Sequence, residues 1–269
     1  MAHPFDTGSF ATAVRLYDGL RRVEVTTSLV NNEKFVRYQA LVPTTIAAGE
    51  GVHEIPFGAI DRPDGVEFPA QNWADLGDGR RGLALLNLGA PGNVRAGGTM
   101  MLSLLRAHTL GGYGFGGGYE PGMSSDSALQ LGKERTVRYA LVPHAGDWRE
   151  ARVYRDGLEF NNPLIARKAA PHPGPLPKRW GLIDVSDPRV VVSALKPGRD
   201  GAAILRVYEA TGAPTPGVKV TIHAGVTSAN ETNLMEDAGT PLPAAPDGVT
   251  FDLAPFEIKT IALRLAPIP

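Results

Sequence analysis

The chain has 269 residues, a formal net charge of −1 and no cysteine. The near-neutral charge excludes the basic face that nucleic-acid binding requires, and the lack of cysteine excludes disulfides and thiolate ligands and fits a cytoplasmic location. The N-terminus lacks a signal-peptide pattern and no apolar run reaches membrane-spanning length, so neither export nor a membrane partner is expected.

The first third of the sequence alternates apolar and polar residues with the period of two that is typical of β-strands. Asp18-Gly19 separates two of these runs and predicts a hairpin turn. Residues 62–78 are rich in Pro, Gly and Asp and are predicted to be a loop region. The predicted strands are 12–17, 21–30, 34–42 and 53–60.

The middle of the chain predicts three more strands and one helix. The strands are 81–88, 99–105 and 135–142. In the first two, odd- and even-numbered positions are both apolar, which predicts central strands covered on both faces. The third is predicted to stop at Pro143. Asp147, followed three residues later by Glu150, is a capping-box pattern and predicts a short helix that closes near Asn162.

A connector with prolines at alternate positions, 171–177, precedes a second set of strands. These strands are predicted at 190–195, 202–209, 218–223, 248–253 and 257–263. Their short spacing with Gly and Pro turns is typical of a small β-sandwich, and residues 228–247 are predicted to be its least regular part. The predicted domains are 1–184 and 185–269.

Five carboxylates lie within residues 61–78: Asp61, Asp64, Glu67, Asp75 and Asp78. A retaining glycosidase needs two carboxyl groups about 5–5.5 Å apart, but these acids are predicted to turn the loop backbone and to pair with nearby arginines. His144 is predicted to be a hydrogen-bonded packing residue. The histidines show no metal-ligand spacing, so no metal site is predicted.

Ten short motifs occur in a fixed order along nearly the whole chain. They are Phe57-Gly58, Arg62-Pro63, 67–73, 82–87, 102–106, Tyr139-Ala140-Leu141, Pro143-His144, Gly146-Asp147-Trp148, 205–209 and 255–258. Together they resemble the C-terminal β region of glycoside hydrolase family 38, the α-mannosidases. The resemblance implies a mostly β fold, in which a galactose-mutarotase-like β supersandwich is followed by a small C-terminal β-sandwich.

The resemblance also implies the chemistry of the family, retaining hydrolysis of α-mannosides assisted by zinc in an N-terminal α/β domain. The expected nucleophile and zinc-ligand positions match nothing in this sequence. We therefore expect a non-catalytic region that is inactive alone and has no cofactor of its own. Its expected partners are mannosides and the catalytic domain of the same enzyme, and a homo-oligomer is also among the expected assemblies because a separated domain can leave an apolar patch exposed.

The resemblance implies that loops of the β region approach the mannose pocket, and seven residues are predicted to contribute to it: Glu67, Gln71, Asn72, Trp73, Arg106, Tyr113 and Tyr119. Aromatic rings stack on the C–H faces of sugars, and amide and guanidinium donors bind hydroxyl groups. Two structural alternatives remain open, Trp73 as a core residue and Arg106 in an ion pair. Two other functions also remain open: a stand-alone carbohydrate-binding module that uses Trp73 and the 113–119 surface, and a mutarotase-like enzyme that uses His144 and a loop acid, which rests on fold analogy alone.

Overall fold

The computed structural model describes residues 2–5, 8–108, 112–113, 119–120, 131–171, 173–174, 177–237 and 239–266. Side chains are described in these ranges except at 2–5, 112–113 and 119–120. The chain forms two compact units, Met1–Ile55 with Ile60–Leu164, and Pro56–Ala59 with Ile165–Pro269. The predicted mostly β class is confirmed. Within the described ranges, no helix is long and apolar enough to cross a membrane.

The residues described up to position 164 form fourteen strands and a helix. They are β1 (Ala2–Phe5), β2 (Gly8–Leu16), β3 (Val23–Val30), β4 (Val36–Pro43), β5 (Glu50–Ile55), β6 (Gly58–Asp61), β7 (Phe68–Pro69), β8 (Trp73–Gly77), β9 (Arg81–Leu88), β10 (Gly92–Ala96), β11 (Thr99–Ala107), β12 (Gly112–Tyr113), β13 (Tyr119–Glu120), β14 (Glu134–Ala145) and α1 (Val153–Asn161). An eight-stranded sheet has the order β1-β2-β3-β14-β9-β8-β5-β6, and a four-stranded sheet has the order β4-β11-β10-β7.

The β2–β3 hairpin follows the sequence pattern. Its turn at Asp18-Gly19 is closed by a hydrogen bond from the Leu20 N–H to the Tyr17 carbonyl, 3.2 Å long, and Gly19 has a φ of 75° that suits glycine. Along β3 every second residue is buried, beginning at Val25. The predicted hairpin is therefore confirmed.

The core of the first unit lies between its two sheets, and β9 and β11 are central strands as predicted. β11 is not covered on both faces as expected, because its residues are fully buried mainly at alternate positions. β9 lies between β14 and β8, and β11 lies between β4 and β10. Residues 84–86 of β9 are fully buried. The core cluster combines Leu85 of β9 and Leu102 of β11 with Val25, Leu76 and Val137 from neighbouring strands.

Three predictions for the first unit are wrong in detail. The run 53–60 is two strands, β5 and β6, because the chain turns at Phe57, whose φ is 61°. The predicted loop 62–78 contains β8, which pairs with β5 on one side and β9 on the other. Pro143 does not end β14. Beyond Leu141 that strand pairs only with β9, and a strand position with one unpaired side is where proline is tolerated.

The predicted helix exists but begins later than its capping acid. Asp147 Oδ1 accepts hydrogen bonds from the N–H groups of Arg149, at 2.9 Å, and Glu150, at 2.8 Å. A turn follows, and Arg152 then adopts a left-handed conformation with φ 58° and ψ 40°. That residue interrupts the helical path, so α1 starts at Val153 and ends one residue before Asn162, where the sequence places the end.

The second unit is a small β-sandwich. Its elements are β15 (Ile183–Val185), β16 (Val190–Pro197), a 3-10 turn (Arg199–Gly201), β17 (Ala203–Glu209), β18 (Thr215–Ile222), β19 (Val226–Thr232), β20 (Thr240–Leu242), β21 (Ala244–Ala245), β22 (Gly248–Leu253) and β23 (Ile258–Leu265). The sheets have the orders β15-β18-β22-β21 and β16-β17-β23-β19-β20. The predicted irregular stretch 228–247 includes most of β19, which pairs with β23 and β20, so it is more regular than expected.

Glu209 ties together two of the motifs on which the family resemblance depends. It is fully buried at the end of β17. Its carboxylate accepts hydrogen bonds from the N–H groups of Thr211, at 2.8 Å, Gly212, at 2.6 Å, and Phe256, at 3.2 Å. Because these donors come from the segments after β17 and before β23, the glutamate fixes both turns, and its role in the motif is structural.

Candidate functional site

The outer face of the four-stranded sheet carries a polar cluster on β4 and β11. Arg37 and Gln39 of β4 lie opposite Arg106 and Ser103 of β11, and residues directly opposite in a ladder point to the same face. A β-bulge between Ser103 and Leu105 inserts one residue. The bulge lets Ser103 and Arg106 face the same side although they are three positions apart.

Glu67 reaches this face from the segment before β7. Its Oε2 accepts a hydrogen bond from Arg37 Nη1 at 2.6 Å, and its Oε1 accepts one from Ser103 Oγ at 2.7 Å. Gly92 of β10 leaves room for the carboxylate, since a Cβ at that position would lie 2.3 Å from Oε1. Glu67 is therefore held in place by partners that a sequence pattern does not reveal. We call Arg37, Gln39, Glu67, Ser103 and Arg106 the β4/β11 cluster.

A pocket of about 330 Å³ opens beside the β4/β11 cluster. Its lining includes Glu67, Ser103, Arg106, His108 and Arg135, with residues 89–92. Two of the predicted site residues, Glu67 and Arg106, thus meet in one pocket. Arg106 is exposed, and within the described part of the chain it forms no ion pair, so the structure does not support the alternative of a structural ion pair there.

Gln71 and Asn72 lie elsewhere, beside Glu54 at the end of β5. The Gln71 N–H donates to the Glu54 carbonyl at 3.0 Å. The Asn72 N–H donates to Glu54 Oε2 at 2.7 Å, and its side-chain amide donates to Oε1 at 3.3 Å. Burial raises the pKa of Glu54 to about 7, although the hydrogen bonds from Asn72 act to lower it. The Asn72 amide is already engaged within the protein.

Trp73 is a core residue, which is one of the two alternatives that the sequence left open for it. Its side chain is 1% exposed, and its ring centroid lies 5.1 Å from that of Trp148. Helix α1 lies on β8 and β9 and approaches closely because of Gly157, where a Cβ would come within 2.7 Å of Trp73 Cδ1. The indole is covered in this chain and offers no face on which a sugar could stack.

The last two predicted residues, Tyr113 and Tyr119, belong to the glycine-rich segment. Their backbones pair in the short β12–β13 ladder. Their side chains lie outside the described residues, so their role in contacting a sugar stays a prediction.

Asp75 and His144 form a buried pair on β8 and β14. Asp75 Oδ1 lies 2.8 Å from His144 Nε2, and the two side chains are 3% and 2% exposed. Burial acts to lower the pKa of His144, but the hydrogen bond to Asp75 and its charge outweigh that effect and raise it. His144 is thus the hydrogen-bonded packing residue that the sequence predicts, and it is too deeply buried to contact a substrate.

The other acids of the 61–78 stretch mostly serve the structure as well. Asp64 forms an ion pair with Arg95. Asp78 Oδ1 accepts hydrogen bonds from the N–H groups of Arg80 and Arg81, each 2.9 Å long. The prediction that these acids turn the backbone and pair with arginines is confirmed for Asp78.

The described residues provide no ligand set for the zinc ion that the family resemblance implies. Among the described residues, no group of three or more His, Cys, Asp or Glu side chains is placed to hold a metal ion. Asp75 and His144 are two side chains of the required type, but they are bonded to each other. We assign no metal-dependent step to the described part of this chain.

Two family models match the chain, one in each of its β units. The model described as "Glycosyl hydrolases family 38 C-terminal domain" matches residues 2–110, and the model described as "Glycosyl hydrolases family 38 C-terminal beta sandwich domain" matches residues 189–261. The fold and these matches define the class of the protein, the C-terminal β domains of a glycosyl hydrolase.

Relatives and solved structures agree with that class. The chain is 30% identical over 254 residues to Alpha-mannosidase 2C1 of Mus musculus. The aligned region covers 88% of this chain and 22% of the relative. The chain is 26% identical over 273 residues to Alpha-mannosidase G of Dictyostelium discoideum, covering 96% and 24%. A crystal structure of an alpha-mannosidase from Enterococcus faecalis V583 shares the fold, with a TM-score of 0.79 at 20% identity, covering 96% of this chain and 29% of that chain.

The chain belongs to glycosyl hydrolase family 38, as part of the C-terminal β region of that family. The resemblance predicted from the sequence motifs is therefore confirmed. The chain spans less than a quarter of the length of the two relatives named above, at 22% and 24%.

Proposed function

We propose that this chain is the non-catalytic C-terminal β region of a family 38 α-mannosidase, acting in cytoplasmic mannose metabolism. It supports the catalytic domain of the same enzyme, which holds the zinc ion, and it supplies polar side chains to the wall of the mannoside pocket. Support for this proposal comes from the two family models, from relatives that are named alpha-mannosidases, and from the pocket beside the β4/β11 cluster.

The observation that carries the pocket role is the ordered polar wall around Glu67. Arg37 and Ser103 hold the carboxylate in one orientation, and Arg106 lies on the same face without an ion pair to any described residue. A sugar hydroxyl can donate to a carboxylate and accept from a guanidinium. A few fixed polar groups in a pocket are what orient a small ligand.

The non-catalytic part of the proposal rests on how the acids are used. Retaining hydrolysis needs two carboxyl groups about 5–5.5 Å apart across the scissile bond. Asp64, Glu67 and Asp75 are each bound to a separate basic side chain, and Asp78 caps a turn. These contacts account for each of the four carboxylates individually, and we expect no hydrolysis by the chain alone.

A stand-alone carbohydrate-binding module is the competing function, and a titration distinguishes the two. Because Trp73 is covered, the module would depend on Tyr113 and Tyr119. We expect methyl α-mannoside to show no saturable binding at about 1 mM or tighter, which corresponds to about −4 kcal/mol. Binding at that strength, lost in Tyr113→Ala or Tyr119→Ala but kept in the exposed control Tyr17→Ala, would favour the module.

The contribution to the pocket is tested in the chain assembled with its catalytic domain. We expect Arg106→Gln to raise KM for α-mannosides by about tenfold, the loss expected for one hydrogen bond to a charged group. Arg179→Gln, an exposed position in the connector, is the matched control and leaves KM unchanged. An unchanged KM in Arg106→Gln would remove Arg106 from the pocket wall.

A further inference from the structure

We propose that the pocket beside the β4/β11 cluster binds an oxyanion, the phosphate or carboxylate group of an acidic saccharide. This inference deepens the proposed function and rests on it only for the saccharide part of the ligand. The preference for an anion rests separately on the charges that line the pocket.

Two guanidinium groups in the pocket have no ionic partner among the described residues. Arg106 and Arg135 both line it, and neither forms an ion pair with a described residue. Glu67 is the one carboxylate among the described lining residues, and Arg37 neutralises it through a 2.6 Å contact. Ser103 donates to the other oxygen of Glu67, and no ion pair joins this carboxylate to Arg106 or Arg135. Among the described residues, the pocket therefore keeps two positive charges.

The fold brings these two cations together from different sheets. Arg106 lies near the end of β11 in the four-stranded sheet, and Arg135 lies near the start of β14 in the eight-stranded sheet. Arg135 has the same parity as Val137 and Tyr139 of β14, which face the core between the sheets. Arg135 therefore leaves β14 on the side of these residues, and it lines the pocket.

The chemistry of these groups favours an oxyanion over a neutral hydroxyl. A guanidinium presents its N–H donors in a planar fork that matches two oxygens of a phosphate or carboxylate. His108 adds an imidazole to the same lining. The apolar side chains of Leu104 and Leu105 also border the pocket and weaken the screening of charge by water. A volume of about 330 Å³ is enough for such a group and part of a sugar ring.

The test is a set of titrations of the purified chain at constant ionic strength, followed by NMR or calorimetry. The probes are inorganic phosphate, mannose 6-phosphate, mannuronate and mannose. We expect phosphate and the acidic sugars to bind at least about tenfold more tightly than mannose, and the binding to weaken as salt is added. The two acidic sugars show whether phosphate or carboxylate is preferred.

Variants show whether the binding belongs to this pocket. Arg106→Gln and Arg135→Gln are each expected to weaken binding of mannose 6-phosphate by about tenfold or more, whereas Arg179→Gln leaves it unchanged. Both pocket arginines are exposed, so a thermal melt should show all three variants folded. If one pocket variant fails to fold, the other carries the test.

Several results would overturn the inference: no binding of phosphate or of either acidic sugar, equal affinity for mannose and mannose 6-phosphate, or the same loss in Arg179→Gln as in the pocket variants. These outcomes are separate from failure of the proposed function. That proposal fails through saturable binding of neutral mannosides or hydrolysis by the chain alone, and neither result requires an anion.

Discussion

Replacing Glu54 with glutamine should change how the stability of the protein depends on pH. Glu54 is 7% exposed, and burial raises the pKa of its carboxyl from 4.5 to about 7 in the folded protein. In the unfolded chain the ordinary value applies. Between these two pH values the folded protein therefore binds one more proton at Glu54 than the unfolded chain does, and the free energy of unfolding falls as pH rises.

The size of this effect follows from the two pKa values. The difference between 4.5 and about 7 corresponds to about 3 kcal/mol. This contribution to stability is fully present below pH 4.5 and is lost as pH rises through 7. His53 acts in the opposite direction, because burial lowers its pKa from 6.5 to about 4, so its contribution is present above pH 6.5 and is lost as pH falls through 4. In the wild-type protein the two pH dependences overlap and partly cancel in the free energy of unfolding.

Urea unfolding of the wild type and of Glu54→Gln, from about pH 4.5 to 8, separates the contribution of Glu54 from that of His53. Glutamine imitates the protonated carboxyl and cannot ionise. We therefore expect the variant to gain about 3 kcal/mol relative to the wild type as pH rises across this range. Glu159→Gln, at an exposed position of α1, is the control and should give a level difference. A level difference for Glu54→Gln as well, or one of opposite sign, would refute the reasoning.

Two further substitutions test the packing around the candidate site. Trp73→Ala should lower the free energy of unfolding by about 3–5 kcal/mol because its indole is covered, whereas Tyr17→Ala, which is exposed, should cost less than about 0.5 kcal/mol in the same urea titration. Gly82→Ala should lower the melting temperature because its Cβ would lie 2.3 Å from His144 Cε1. Gly181→Ala, where the nearest atom is 3.9 Å away, should not, and equal shifts for the two would contradict the packing seen here.

The periodicity of apolar residues predicted strands whose burial follows their own sequence pattern. It failed for a strand that forms only because neighbouring strands pair with it. The β2–β3 hairpin and the central strand β9 have patterns that reflect their surroundings, whereas β11 is central but not covered on both faces. β8 has only five residues and contains Asp75 and Gly77, so its sequence looks like a loop. It becomes a strand because β5 pairs with it on one side and β9 on the other. A local sequence pattern carries no information about these partners.

The candidate site was predicted only in part, for the same reason. Glu67 and Arg106 came from the family resemblance, but Arg37 and Ser103 were missed because the register of β4 on β11 brings them together. One local signal for Ser103 exists, since it is a polar residue in the apolar run of β11. Trp73 was predicted as a site residue and lies in the core, because a tryptophan next to a loop has the same sequence pattern in a core as at a pocket rim.

The most direct test of the central claim is hydrolysis of p-nitrophenyl α-mannoside by the purified chain, with and without added zinc. We predict no turnover in either condition, because four of the five acids of the 61–78 stretch are held by structural contacts and no described cluster can hold the metal. Zinc-dependent turnover that follows the chain through purification would contradict this prediction.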